Sequence, residues 1–404
     1  MKAPKISYYI GFSAFFADMG YQGAMAILPI FLIFVLKLNF FVFGVVEAFI
    51  FGFGALFSYM GGKLADKYGS KKITVFGNSL IPLLSFTAFS YIPFIAIPLF
   101  SFGWWMRNLR SPTRRSFLAE NVDTGERTSA FGVLHGLDVG GGIVSIIILV
   151  ILILLHFSYK YLFFFSIFPL IISTIIIASV KGKKHTRVDN NGSNKNTEKK
   201  NTEKKNTKGK FVFEGIIIGT LLFGFGSYTM GFPIITIAEN PGNSLALRIM
   251  SGVISYGIFL GISSLTGFAL SKRAIKNETL SLGLYGYILA GLGTLGFALS
   301  IIYSLGLTGF YASVAVVAIA FGITETFEPS IISKIVSSDK MGSGMGILSS
   351  SRSMGFFIAN IIMGALYELR PSYSYTYAGF VSIIAGIIIL IALNKERKIN
   401  GSTI

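Results

Sequence analysis

Twelve stretches of this chain, each about 18 to 29 residues long, are dominated by apolar side chains and separated by short polar or turn-forming breaks. Runs of that length leave few options. Hydrocarbon supplies no hydrogen-bond partner, so a segment that crosses it must satisfy its own backbone as a helix or close with others into a barrel. At 1.5 Å per residue a helix spans the roughly 30 Å hydrocarbon core in about 20 residues. Barrel strands would show alternation over about ten residues, which is missing here, so the runs read as helices. The composition agrees: only 13% of residues are charged and 52% are hydrophobic, against about 25% charged in soluble domains. Lipid is therefore the solvent for most of the chain.

Helices are expected near 8–36, 40–60, 72–91, 93–110, 129–155 and 158–180, and a second set near 211–236, 246–270, 280–304, 308–336, 343–367 and 374–394. This is an all-α membrane protein of 12 transmembrane helices in two pseudo-symmetric six-helix bundles. The expected divisions are 1–181 for the first bundle, 182–210 for a linker, 211–395 for the second bundle and 396–404 for a tail. Lys2 and Lys5 precede an apolar run too long for a signal-peptide core, so that run reads as a retained first helix.

Lysine and arginine fall almost wholly on one side of this arrangement. The N-terminus, the loop at 61–72 (Lys63, Lys67, Lys71, Lys72), the loop near 110–127, the segment 181–210, the loop 272–276 and the tail (Lys395, Arg397, Lys398) share that side. The opposite loops offer little beyond Lys37, Lys160 and Arg370. By the positive-inside rule both termini are expected in the cytoplasm, with the protein in the cell membrane. Topology thus accounts for the formal charge of +17. A nucleic-acid partner is not expected, because the chain has almost no soluble domain to present a basic face. The chain has no cysteine, which excludes disulfides and thiolate metal sites. Residues 182–210 include the tandem run Asn196-Thr-Glu-Lys-Lys, Asn201-Thr-Glu-Lys-Lys and read as a disordered basic tether.

The two sets of helices are related. At an offset of 214 residues, Ser116, Val122, Gly132 and Leu134 fall on Ser330, Val336, Gly346 and Leu348. Repeated halves are a common construction in secondary transporters, with the solute site at the interface between them.

Between the second and third runs stands Gly62-Lys-Leu-Ala-Asp66-Lys67-Tyr-Gly69-Ser-Lys71-Lys72. This stretch resembles the signature loop of the major facilitator superfamily, Gly-x-x-x-Asp-(Arg/Lys)-x-Gly-x-(Arg/Lys)-(Arg/Lys). A degraded copy, Gly267-Phe-Ala-Leu-Ser271-Lys272-Arg273, occupies the equivalent place in the second half. The resemblance covers essentially the whole chain outside the linker. It implies a latch made by Asp66, partnered by the start of the eleventh helix or by an arginine of the fourth. The stretch Arg107-Asn-Leu-Arg110-Ser-Pro112-Thr-Arg114-Arg115 further resembles the prokaryotic efflux-like members. Two features depart from the exporters' pattern: Ser145-Ile146 stands where the fifth helix usually has Gly-Pro, and the mid-helix arginine of the fourth span has no clear counterpart.

Ionisable groups inside spans are expensive and mark candidate sites. Asp18 lies about ten residues into its helix, roughly 15 Å deep, and is a candidate for a coupling proton or the solute; the alternative is a structural partner, Arg352 or a tyrosine hydroxyl. Glu47 is a second candidate, or else an ion-pair partner of Arg352. Asp138 and Arg352 are related by the 214-residue offset, so the halves place opposite charges at matching depth; both are candidates for the proton or the solute, and Arg352 in particular for a solute's anionic group or a carboxylate partner. The same offset relates Arg114 to Glu328, and Arg110 to Thr324 beside Glu325. From this follows an expected inner gate in which Arg110 and Arg114 meet Glu325 and Glu328. Tyr21, Gln22, Trp105 and Tyr228 are candidates to line the cavity, and His135 is expected to be a satisfied packing residue.

The expected function is secondary active transport of a small organic solute by alternating access, proton-coupled and in the efflux direction, by a monomer in contact with membrane lipids. No cofactor is expected beyond the proton gradient, since no Gly-x-x-x-x-Gly-Lys-(Ser/Thr) loop for nucleotide occurs. No nucleophile motif or metal-ligand cluster points to an enzyme. The alternatives are an uptake symporter, or a non-transporting sensor or lipid scramblase on the same fold.

Overall fold

The computed structural model describes residues 3–182, 210–239, 245–272, 275–337 and 340–399. The tandem repeats of the linker and Arg273 lie outside these segments. Every regular element among the described residues is helical. The first half comprises α1 (Lys5–Val35), α2 (Phe40–Tyr68), α3 (Ser70–Phe89), α4 (Pro93–Glu120), α5 (Thr124–Leu154) and α6 (Tyr159–Ser179). The second comprises α7 (Val212–Ala238), α8 (Leu245–Ser271), α9 (Glu278–Ile302), α10 (Gly306–Ile335), α11 (Met341–Leu369) and α12 (Pro371–Ile399).

Ten of these helices are apolar enough to cross a membrane by composition alone; α4 and α11 are the two that are not. Both carry polar side chains on the face turned to the centre of the molecule, which lowers their mean hydropathy without exposing charge to lipid. The periphery is the reverse. Phe94, Leu265 and Tyr303 are 90%, 69% and 69% exposed, as expected where lipid, not water, is the neighbour.

The same packing recurs in each half. In the first, α1 lies against α5 and α6, and α4 lies against α2 and α3. In the second, α7 lies against α11 and α12, and α10 against α8 and α9. The halves meet chiefly along α2 with α11 and α5 with α8. Without a hydrophobic driving force in lipid, such seams depend on small residues that let backbones approach. At Gly62 a Cβ would stand 2.4 Å from the Gly342 carbonyl oxygen and 2.9 Å from the Gly346 Cα, so only glycine fits.

Four features differ most from the sequence expectation. The signature segment expected as a loop over 61–72 is mostly helical: α2 continues to Tyr68, Gly69 turns the chain at φ +94°, and α3 begins at Ser70. A positive φ of this size is open to glycine and strained for other residues. The loop expected near 110–127 is likewise helical as far as Glu120, because the arginines that suggested an aqueous loop are buried against other side chains. The tail expected from 396 continues α12 through Ile399. Finally, α7 is not continuous: it runs to Gly226, is unwound over 227–230, and resumes at Gly231.

Candidate functional site

A cavity of ≈ 240 Å³ lies between the halves. Its wall takes Asp18, Gln22, Arg107, Arg115 and Asp138 from the first half, and Tyr228, Tyr256, Glu325, Glu328 and Arg352 from the second. The unwound residues of α7, Ser227 to Met230, face it, and so does Phe51 in the π-helical turn Ala48–Gly52 of α2. Broken and π-wound helices are tolerated in a membrane where they line a cavity.

Helical phase decides which arginines of α4 reach this space. Arg107, Ser111 and Arg115 recur every four residues and line the cavity, together with Asn108. Arg110 and Arg114 form the adjacent stripe and are buried. Arg110 donates to the Tyr21 hydroxyl at 3.2 Å, and Arg114 to Asp138 Oδ2 at 2.5 Å, so both remain inside the first half. The inner gate expected from the sequence is corrected accordingly: it is Arg115 that reaches across to Glu325, and neither Arg110 nor Arg114 has a bond to Glu325 or Glu328.

Arg352 binds both Glu325 and Glu328. Its expected pairing with Glu47 or Asp18 is therefore not observed. Glu328 also accepts from the Tyr287 hydroxyl and, at 3.3 Å, from Thr220. The reason for the misplaced partners is geometric. Two residues related by a pseudo-twofold touch each other only near the axis; away from it, each faces its own bundle. Arg114 pairs with Asp138, and their counterparts Glu328 and Arg352 pair with each other. The halves hold the same buried ion pair with its polarity exchanged.

Asp18 is buried, and its two oxygens accept from the Tyr21 hydroxyl and, at 2.8 Å, from Gln22 Nε2. The positions i+3 and i+4 on α1 bring both donors to the face of the carboxylate. The Tyr256 hydroxyl of α8 donates to Gln22 Oε1, so this cluster spans the halves. Tyr228 lines the cavity with its hydroxyl 3.3 Å from Thr294. His135 bonds Ser263 at 2.9 Å across the α5–α8 seam.

Other candidates lie elsewhere. Glu47 is buried outside the cavity wall, and among the described residues it has no ion-pair partner. Tyr21 sits behind the wall, edge-on to Trp104 at 5.6 Å. Trp105, expected in the cavity, faces the other way. Its indole donates to the Ile50 carbonyl at 3.1 Å and stacks on Phe57. Its neighbour Trp104 takes the cavity position. Because α4 extends to Glu120, Arg107 stands midway along it, where the sequence reading found no mid-helix arginine.

The halves also touch on both sides of the cavity. On the side carrying the basic loops, Asp66 accepts from the backbone N–H of Gly342 at 2.8 Å and of Ser343 at 2.9 Å, at the first turn of α11. A helix N-terminus suits a carboxylate because its free N–H groups and dipole both favour negative charge. Of the signature residues, Gly62 makes the close seam and Gly69 the turn, whereas Lys67 and Lys72 are exposed and Lys71 half-buried. Lys334 donates to Glu278 at 2.8 Å and to Thr128 at 2.9 Å, while Ser129 donates to the Ser271 carbonyl at 2.7 Å. On the opposite side Phe43 meets Phe232 at 5.3 Å, and Phe40 meets Tyr367 at 4.9 Å.

The sequence profile described as Major Facilitator Superfamily matches residues 10–326. An uncharacterized MFS-type transporter of Methanocaldococcus jannaschii is 25% identical over 137 residues, 34% of this chain and 33% of that relative. The chain therefore spans about a third of the length of the curated relative it matches. In fold, the chain is similar to the human organic anion transporter MFSD10, with TM-score 0.69 and 10% identity over 96% of this chain and 100% of that one. It is also similar to the Escherichia coli fucose:proton symporter, with TM-score 0.63 and 14% identity over 96% and 98%. A proton:xylose symporter matches with TM-score 0.64 and 15% identity over 95% of each chain.

Proposed function

The chain belongs to the major facilitator superfamily, and from that premise we propose that it moves a small organic solute by alternating access, driven by the proton gradient. The membrane transporter follows from the family; coupling, direction and solute are the proposal. The observation that carries it is the cavity walled by both halves, with unwound α7 on its face and contacts between the halves on each side of it. Rocking one half against the other would open it to one side at a time.

Asp18 is the proposed proton site. It faces the cavity, its hydrogen bonds come from neutral partners, and among the described residues it has no cation within ion-pair distance. A carboxylate held this way in a membrane interior can exchange a proton with the cavity. The side bearing the basic loops and both termini is proposed to be cytoplasmic, by the positive-inside rule. Export is the proposed direction, on the resemblance of the Arg107–Arg115 stretch to efflux-like members.

The test is reconstitution of the full chain in vesicles loaded with a pH-sensitive dye. Organic acids, amines and sugars are added outside in turn. A solute that shifts the internal pH in a saturable way supports coupled transport. Asp18→Asn is expected to abolish that shift while leaving the protein monodisperse. An unchanged shift in Asp18→Asn removes Asp18 from the role, and solute flux without proton movement removes the coupling.

A further inference from the structure

Each carboxylate on the cavity wall already has a donor. Asp18 accepts from Tyr21 and Gln22, Asp138 from Arg114, Glu325 from Arg115 and Arg352, and Glu328 from Arg352 and Tyr287. The cations are not so complete. Of the three arginines on the wall, Arg107 is the one with no carboxylate within 4.0 Å among the described residues, and its Nε has no hydrogen-bond partner. Five guanidinium groups (Arg107, Arg110, Arg114, Arg115 and Arg352) surround four carboxylates (Asp18, Asp138, Glu325 and Glu328), so with all groups ionised the cluster is short of one negative charge.

Arg107 is also held in place. Its guanidinium carbon lies 4.8 Å from the Trp104 ring centroid and 5.6 Å from that of Tyr21. Aromatic faces balance part of the charge, and beyond a hydrogen bond to Tyr21 donors of the planar fork remain for an incoming partner. Asp18 and Asp138 attract Arg107 from beyond ion-pair distance, but among the described residues no carboxylate touches it, and a planar fork matches a carboxylate. The wall also carries apolar side chains from both halves, among them Met25, Phe51, Phe223, Phe259 and Phe321.

We propose that Arg107 is the head-group site for the solute, and that the solute is an amphipathic organic monocarboxylate whose apolar body lies against the phenylalanines of both halves. The inference rests on the transporter reading, since it names the solute class for that same cavity. It also separates two roles: Arg107 takes the solute's charge, and Asp18 remains free for the proton.

The chain has two tryptophans, and Trp105→Phe leaves Trp104, beside Arg107, as the single reporter. Three probes share one quenching body and differ in head group: 4-nitrobenzoate, 4-nitrobenzamide and 4-nitrobenzylamine. Saturable quenching of Trp104 is expected for the carboxylate, roughly tenfold or more tighter than for the amide, as one charge-assisted hydrogen bond provides, and none is expected for the amine. Arg107→Gln in the same background should lose that preference, and Arg107→Lys should recover part of it. Monodispersity of both variants on size exclusion separates loss of the site from loss of the fold.

Equal quenching by all three probes, preference for the amine, no saturable quenching by 4-nitrobenzoate, or an unchanged preference in Arg107→Gln overturns the proposal. Flux in vesicles keeps the two readings apart. Carboxylate binding without flux of any solute sinks transport and leaves the site; flux confined to amines or sugars leaves transport and sinks the site.

Discussion

The exchanged polarity of the two buried ion pairs makes a demanding prediction. Arg114 and Asp138 are 3% and 17% exposed at their side chains and lie 2.5 Å apart. Two unit charges with centres about 4 Å apart attract by about 4 kcal/mol at an effective dielectric of about 20. Arg114→Glu alone replaces that attraction by repulsion against a buried carboxylate, and breaking a buried pair typically costs roughly 3–5 kcal/mol. At roughly 2–4 °C per kcal/mol, the melting midpoint should fall by about 10 °C. Adding Asp138→Arg installs in the first half the same residue pair that the second half holds as Glu328 and Arg352. The double variant should recover at least half of the loss. Recovery should be incomplete, because an arginine at 138 would repel Arg107 and Arg110, which an aspartate there attracts from beyond ion-pair distance. The assay is a double-mutant cycle on thermal unfolding of the purified protein, followed by size exclusion, over wild type, both single variants and the double. A coupling below about 0.5 kcal/mol, which is the usual value for independent sites, or a double variant less stable than either single, would refute the exchanged-pair reasoning.

Other consequences can be checked singly. Because the chain has no native cysteine, oxidation of Arg115→Cys with Glu325→Cys should link the halves and stop flux, while Arg110→Cys with Glu328→Cys should not link; the opposite pattern would restore the gate expected from the sequence. Gly62→Val should wedge α2 from α11, since its Cβ would stand 2.4 Å from the Gly342 oxygen, with a loss of roughly 1–3 kcal/mol typical of overpacking; a melting midpoint equal to wild type would contradict the seam. Trp105→Phe should leave solute affinity within about twofold, whereas Trp104→Ala removes a ring contact of the kind worth up to about 2 kcal/mol when desolvated; equal effects in competition binding would deny that the two indoles face opposite ways.

The span pattern was legible because apolar length is a one-dimensional signal, and the 214-residue offset exposed the relation of the halves without any structure. The family resemblance of the signature stretch left Asp66 two partners, the start of the eleventh helix or an arginine of the fourth, and the first is the one observed. Partner assignment was harder, because an offset identifies equivalent residues and says nothing about which face of a helix each one presents. Reading α4 to Arg110 left too little helix to see that Arg107, Ser111 and Arg115 share a stripe, and that Arg110 and Arg114 occupy the next. Counting positions in steps of four through Glu120 would have separated them. The run of arginines argued for a loop, and burial overrode that local signal. The break in α7 has a faint trace in Ser227-Tyr228-Thr229, but three polar residues in an apolar run do not announce unwinding.

Partner choice also bears on how the basic side could open in the proposed cycle. Arg114–Asp138 and Glu328–Arg352 lie within single halves, so each pair travels intact if the halves rock as bodies. What must separate on that side includes Asp66 from the first turn of α11, the contacts of Thr128, Ser129 and Lys334, Arg127 from the Ser333 carbonyl, and Arg115 from Glu325. Glu325 is the informative member. It holds Arg115 across the interface and Arg352 within its own half, so letting go of Arg115 does not leave a carboxylate unpaired in a dry interior, the state that makes broken buried pairs so unfavourable. Arg115 in turn comes to face a widening, hydrated cavity, where a guanidinium is solvated. An interface built from direct one-to-one charge pairs between the halves, as the sequence offset suggested, would strand both partners at once and would resist opening far more strongly.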